Sequence, residues 1–124
     1  MEIEINDHRK IYAIQEEFQG LFAFLKLEFL SKSNNTNDSS PQKRIVGSSK
    51  TLGECSFLHK KGTLTITPAM TVGELEQNFR DVYGLETQVS RKSGNVWLLT
   101  KGTEKWTLEK QNQEGKAITK QMEG

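Results

Sequence analysis

Residues 71–84, TVGELEQNFRDVYG, spell out a helix with both of its ends marked. Thr71 and Glu74 stand three apart. That is the spacing of a capping box, in which the hydroxyl accepts from the N3 amide and the carboxylate reaches back. Val72, Leu75, Phe79 and Val82 then share one stripe, and Gly84 supplies the left-handed residue that closes such helices. A helix with a single apolar stripe must bury it against something. The period-two patterns on either side offer strands to do so.

Upstream, residues 62–67 set Leu64 and Ile66 against three threonines, and Pro68 stops the run. Downstream, three strands are expected, at residues 85–91, 95–100 and 105–110. Lys92-Ser93-Gly94 fits a three-residue hairpin loop closed by glycine, which pairs Arg91 with Asn95 and Val89 with Trp97. A second loop around Gly102-Thr103 pairs Leu99 with Trp106 and Trp97 with Leu108. In those registers Leu85, Val89, Trp97, Leu99, Trp106 and Leu108 form a core face. Glu86, Gln88, Ser90, Val96, Leu98, Lys105 and Thr107 form the opposite one.

The first part of the chain repeats the theme. Residues 1–6 alternate with Ile3 and Ile5 inward. Asn6 or Asp7 can cap a helix carrying Ile11, Ile14, Phe18 and Leu21, with Gly20 near its end. Residues 22–30 return to a period of two, with Leu25, Leu27 and Phe29 on one side. This order predicts an α+β two-layer sandwich: a ferredoxin-like βαββαβ arrangement, with an antiparallel sheet and two helices on one face, extended by a C-terminal hairpin strand.

Composition limits how much chain this core can order. Of 124 residues, 34% are apolar and 27% charged. The tract at residues 31–51 has only Ile45 and Val46 to bury, and residues 111–124 have only Ile118 and Met122. Both repay little of their backbone entropy. The expectation is one domain over residues 1–124, with a flexible polar loop at 31–51 and a loosely ordered tail at 111–124. A net charge of +1 gives no strong pull towards nucleic acid or acidic membranes. A single cysteine, Cys55, rules out an intrachain disulfide. No apolar run approaches a membrane span, so the expected location is cytoplasmic.

Chemical motifs fail one by one. Val46-Gly47-Ser48-Ser49-Lys50-Thr51 ends like a phosphate-binding loop, but Arg44 and Ser49 stand where that loop needs glycines. Cys55 and His59 could share a helical face as metal ligands, yet the only other histidine is His8. Cys55 reads better as a small buried residue. The pairs Glu2/Glu4 and Glu74/Glu76 read as solvated faces. Trp97 and Trp106 could stack bases, but the aromatic-rich pattern of RNA-recognition sheets is absent, and the registers above place both in the core.

The stretch TVGELEQNFRDVYGLETQVSRKSGNVWLLTKGTEKWTLEKQN, residues 71–112, resembles a family of small uncharacterised bacterial α+β proteins. The resemblance covers about a third of the chain and implies no activity and no functional residues.

What remains is a non-enzymatic interaction module working through a sheet face or an edge strand, with Gln88, Ser90, Val96, Leu98, Lys105 and Thr107 as its expected surface. The expected partner is another protein or a second copy of the chain; no catalytic residue, metal, cofactor or membrane is implied. One alternative is a nucleic-acid-binding domain using Lys43, Arg44, Lys50, Lys60, Lys61, Arg91 and Lys92. Another is a small ligand-binding protein or enzyme, which requires a concave pocket.

Overall fold

The computed structural model describes residues 1–30, 50–56 and 58–123. Within them the order is β1 (Glu2–Ile5), α1 (Ile11–Leu21), β2 (Leu25–Phe29), a 3₁₀ turn (Leu52–Glu54), β3 (Gly62–Thr65), α2 (Val72–Tyr83), β4 (Thr87–Ser93), β5 (Val96–Leu99) and α3 (Leu108–Glu123). The loop expected at residues 31–51 lies outside the described residues except for Lys50 and Thr51.

The strands form two antiparallel sheets rather than the single sheet of a ferredoxin-like arrangement. β1 pairs with β3, Ile3 opposite Leu64, and β4 lies between β2 and β5. Both sheets nevertheless close one core. Ile3, Ile5 and Leu64 of the small sheet, with Ile66 just past β3, are buried in one cluster with Leu25, Leu27, Phe29 and Val89 of the large one. α1 adds Ile11, Ile14 and Phe18; α2 adds Val72, Leu75, Phe79 and Tyr83. Phe79 meets Phe29 edge-on, with ring centroids 5.7 Å apart.

α2 keeps most of what its sequence announces. The Thr71 hydroxyl accepts from the Glu74 amide at 3.1 Å, and Gly84 is left-handed at φ 63°. Its stripe ends on Tyr83, however, and Val82 is exposed. From Phe79 a step of four keeps the same face where a step of three swings off it. α1 starts later than the Asn6 or Asp7 cap predicts. The backbone ahead of it is held by residues 50–53: Leu52 donates to the Arg9 carbonyl and Gly53 to that of Asp7, at 2.8 and 3.1 Å. Its first helical residue is therefore Ile11.

Two expectations for the C-terminal region are overturned. Residues 105–110 are not a strand: α3 begins at Leu108, where the Thr107 hydroxyl accepts from the Lys110 amide at 3.1 Å. The tail is therefore helix through Glu123. Past Leu108, which joins the core, its buried side chains are polar, which is why no apolar stripe announced it. Gln111 and Thr119 are buried. Asn112 Oδ1 accepts from the Phe24 amide at 2.9 Å, and Thr119 Oγ1 accepts from the Gly94 amide at 3.2 Å. Gly115 lets the helix close in, since a Cβ there would lie 3.0 Å from Arg91 Cγ and 3.2 Å from the Lys92 carbonyl.

The second correction is the hairpin register. The turn between β4 and β5 is the two-residue Gly94-Asn95, pairing Ser93 with Val96, Lys92 with Trp97, Arg91 with Leu98 and Ser90 with Leu99. Gly94 has φ +65° and Asn95 is not in the positive region, as a type II′ turn with glycine first requires. The expected register is wrong by three residues. An odd slip exchanges the faces of β5: Trp97 and Leu99 leave the core side, and Val96 and Leu98 take the side of Val89 and Arg91.

Candidate functional site

The strand β5 reads Val96-Trp97-Leu98-Leu99, apolar on both faces and without a charge. Among the described residues only one of its edges is paired, the one against β4. Thr100 donates its amide to the Val89 carbonyl at 3.2 Å, which sets the alternation of an antiparallel ladder. In that ladder Val96 and Leu98 turn their backbone groups towards β4, and Trp97 and Leu99 turn theirs to the open side. The other side of β4 agrees: Lys92 donates to the Phe24 carbonyl and Leu30 to that of Glu86, leaving the odd positions of β4 for β5.

Side-chain exposure follows this geometry. Val96, Leu98 and Leu99 are 55%, 46% and 48% exposed, high for three consecutive-strand apolar residues. Trp97 is half-buried, with Lys26 Nζ 5.7 Å from its ring centroid.

The other described sheet edges carry protection that β5 lacks. On the outer side of β2, Gln15 Nε2 donates to the Leu27 carbonyl at 2.9 Å. β1 exposes Glu2 and Glu4, and β3 exposes Thr63 and Thr65.

The surface expected from the sequence is divided by the corrected register. Val96 and Leu98 are exposed together on one side of the sheet. Gln88 and Ser90 belong to the other, and Ser90 is buried with its hydroxyl donating to Glu28 Oε1 at 3.0 Å. Lys105 is exposed in the turn before α3, while Thr107 bridges to Thr71. Trp97 and Leu99, which the sequence places in the core, instead complete the open strand.

Trp106 is half-buried with two cations over its ring. The Arg91 guanidinium lies 5.5 Å and Lys110 Nζ 4.3 Å from its centroid. Arg91 also donates to Gln111, so this member of the expected basic surface is engaged within the fold. Lys60 and Lys61 are exposed beside β3; Lys43 and Arg44 lie outside the described residues.

Cys55 is buried, with its thiol directed to the Thr51 carbonyl at 3.5 Å. His59, at φ 52°, instead pairs Nδ1 with Asp7 Oδ2 at 3.0 Å on the surface. Ser56 beside it has its hydroxyl occupied: it donates to the Tyr83 carbonyl at 2.6 Å and accepts from the amides of Leu58 and His59. That is a turn-stabilising serine rather than a nucleophile. Among the described residues no group of three His, Cys, Asp or Glu side chains is placed to hold a metal, and no helix is long and apolar enough to cross a membrane.

Glu76 differs from the solvated residue its sequence suggests. It lines a hollow of about 220 Å³ between α2 and the open part of β4, with Arg80, Glu86, Lys101 and Glu104. Burial pushes its carboxyl pKa up, a bond from the Val89 amide opposes this, and the charge of Glu104 adds to the rise. Arg80 is committed to Glu86 at 3.2 Å. The hollow is smaller and more charged than the largely apolar, roughly 300–1,000 Å³ sites that enclose small molecules.

A scan against protein-family models, a search of curated proteins and a search of solved structures each find no match to this chain.

Proposed function

We propose that the chain is a non-enzymatic protein-interaction module that takes up an extended segment of a partner along the free edge of β5. The observation that carries this reading is the contrast between edges. β5 is uncharged, exposes apolar side chains on both faces and turns the N–H and C=O groups of Trp97 and Leu99 outward. The described edges elsewhere are capped by a side chain or lined with polar groups. Strand addition draws affinity from such main-chain groups and specificity from the side chains that flank them.

The test is to pan a phage-displayed random peptide library against the purified protein, then map binding by amide hydrogen exchange. The expected result is a set of peptides with alternating apolar residues that protect the Trp97 and Leu99 amides. Leu99→Pro removes an outward N–H without removing a bond to β4, and it should weaken them roughly tenfold. Enrichment of nothing, or of peptides that protect residues elsewhere and ignore Leu99→Pro, sinks the reading.

A further inference from the structure

We infer that the segment β5 takes up is β5 of a second copy of this chain, paired antiparallel about a two-fold axis through Leu98 to give one continuous six-stranded sheet. The inference rests on the strand-addition reading and names its occupant.

Backbone parity selects the register. An antiparallel contact between identical strands must set outward-facing residues against outward-facing residues. With Leu98 on the axis, Trp97 meets Leu99 of the second copy and Leu99 meets its Trp97. Every outward N–H and C=O of β5 then finds a partner. Moving the axis to Trp97 sets Leu99 against Asn95, which lies in the turn. On one face Leu98 meets its own copy and Val96 meets Thr100; on the other Trp97 packs on Leu99.

Charge permits the same arrangement. A two-fold contact sets one patch against itself, so a charged edge would oppose its own sign. Residues 95–100, NVWLLT, carry none. Lys101 falls opposite Asn95 of the second copy. Lys92, on β4 beside Trp97, is separated from its counterpart by three strand spacings, or ~14 Å. That exceeds the ~8 Å screening length at physiological ionic strength, so the two lysines repel little. The interface is short, and the association is accordingly concentration-dependent.

Sedimentation equilibrium from roughly 1 µM to 1 mM, a range that spans weak to moderate affinities, tests it. The wild type should pass from one chain to two as concentration rises, with the Trp97 and Leu99 amides gaining protection. Leu98→Glu faces Arg91 within its own sheet, so it is tolerated in the monomer, but it opposes itself on the axis. It should stay monomeric, and so should Leu98→Lys. An equimolar mixture of the two should dimerise. Val82→Glu, at an exposed site on α2, should behave as wild type. A wild type that is monomeric throughout, or a dimer that both Leu98 variants leave intact, overturns the inference. If the wild type is monomeric but library peptides still protect Trp97 and Leu99, self-pairing falls while strand addition stands. If neither occurs, both fall.

Discussion

Gln111, fully buried on α3, accepts from Arg91 Nη1 at 2.8 Å through its Oε1, while its Nε2 donates to the carbonyl and hydroxyl oxygens of Thr103 at 3.0 and 2.8 Å. One amide thus ties the C-terminal helix to β4 and to the loop that follows β5. Its two ends are not interchangeable: the oxygen serves a cation and the nitrogen serves acceptors.

Gln111→Ala should therefore cost about 2–4 kcal/mol, because it opens space and leaves an Arg91 donor and the Thr103 acceptors without their partner. Urea denaturation should show a lower midpoint at an unchanged slope. Gln111→Glu keeps the acceptor for Arg91 but loses the donor to Thr103, and should fall between the two. Equal stability of all three proteins would show that the amide is not what docks the helix.

Gly115 permits the approach that Gln111 fastens. A Cβ at this position would meet Arg91 Cγ at 3.0 Å, Phe24 Cβ at 3.1 Å and the Lys92 carbonyl at 3.2 Å. Gly115→Ala sets that crowding against a gain of about 1 kcal/mol in helix propensity, so its net effect should be small. Gly115→Val adds two methyl groups beyond that Cβ with a smaller gain in propensity and should cost about 2–3 kcal/mol. Amide exchange should locate the loss in α3 while the protection of β2 and α1 persists.

How much of this is legible in the sequence depends on the kind of signal. For α2 the Thr71 hydroxyl cap, the stripe and the terminal glycine agree, while the return bond of the capping box, from the Thr71 amide to the Glu74 carboxylate, is not formed and the last buried position shifts from Val82 to Tyr83. The hairpin is ambiguous because a three-residue loop ending on Gly94 and a two-residue loop beginning on it both ask for a positive φ at that residue. The face assignment of Trp97 and Leu99 turned on that choice. Edge exposure cannot be read from apolar content, since VWLL is as suited to a central strand as to an open one. α3 is hidden for the opposite reason: past Leu108, which joins the core, its packed positions are Gln111, Asn112, Gly115 and Thr119, which hydrogen-bond or allow close approach rather than fill a core. The one available signal is Thr107, a cap residue directly ahead of a helix-forming run.

Thr71 offers a cleaner test of local coding. Its hydroxyl accepts from the Glu74 amide, while the neighbouring amides of Val72 and Gly73 donate to the carbonyls of Trp106 and Glu104 at 3.2 and 3.0 Å. The start of α2 is thus satisfied partly by its own cap and partly by the chain leading into α3. Thr71→Ala should cost about 1 kcal/mol and Thr71→Ser much less. For a domain of this size a loss of that kind lowers the melting temperature by roughly 3–6 °C. A loss several-fold greater would mean that the cap also holds the contact with residues 104–107.

Glu76 gives the fold a pH dependence of definite sign. Burial raises its carboxyl pKa, so the folded chain holds this proton more tightly than the unfolded chain does. Stability from this group therefore falls as pH rises from the ordinary glutamate range through the raised value. Glu104 works in the reverse sense. The Gly102 amide, and then its own, hold its pKa down, and its contribution is lost as pH falls below the ordinary range. Glu76→Gln retains an acceptor for the Val89 amide while discarding the charge. The variant should match or exceed the wild type in melting temperature near neutral pH, by the equivalent of under about 1 kcal/mol because the carboxyl stays partly in solvent. The gap should close as both are titrated down below the ordinary glutamate range, where the carboxyl is neutral in the folded and the unfolded chain alike. A variant less stable than the wild type at neutral pH would mean that the Glu76 charge is held by Arg80 and Lys101 strongly enough to outweigh its burial.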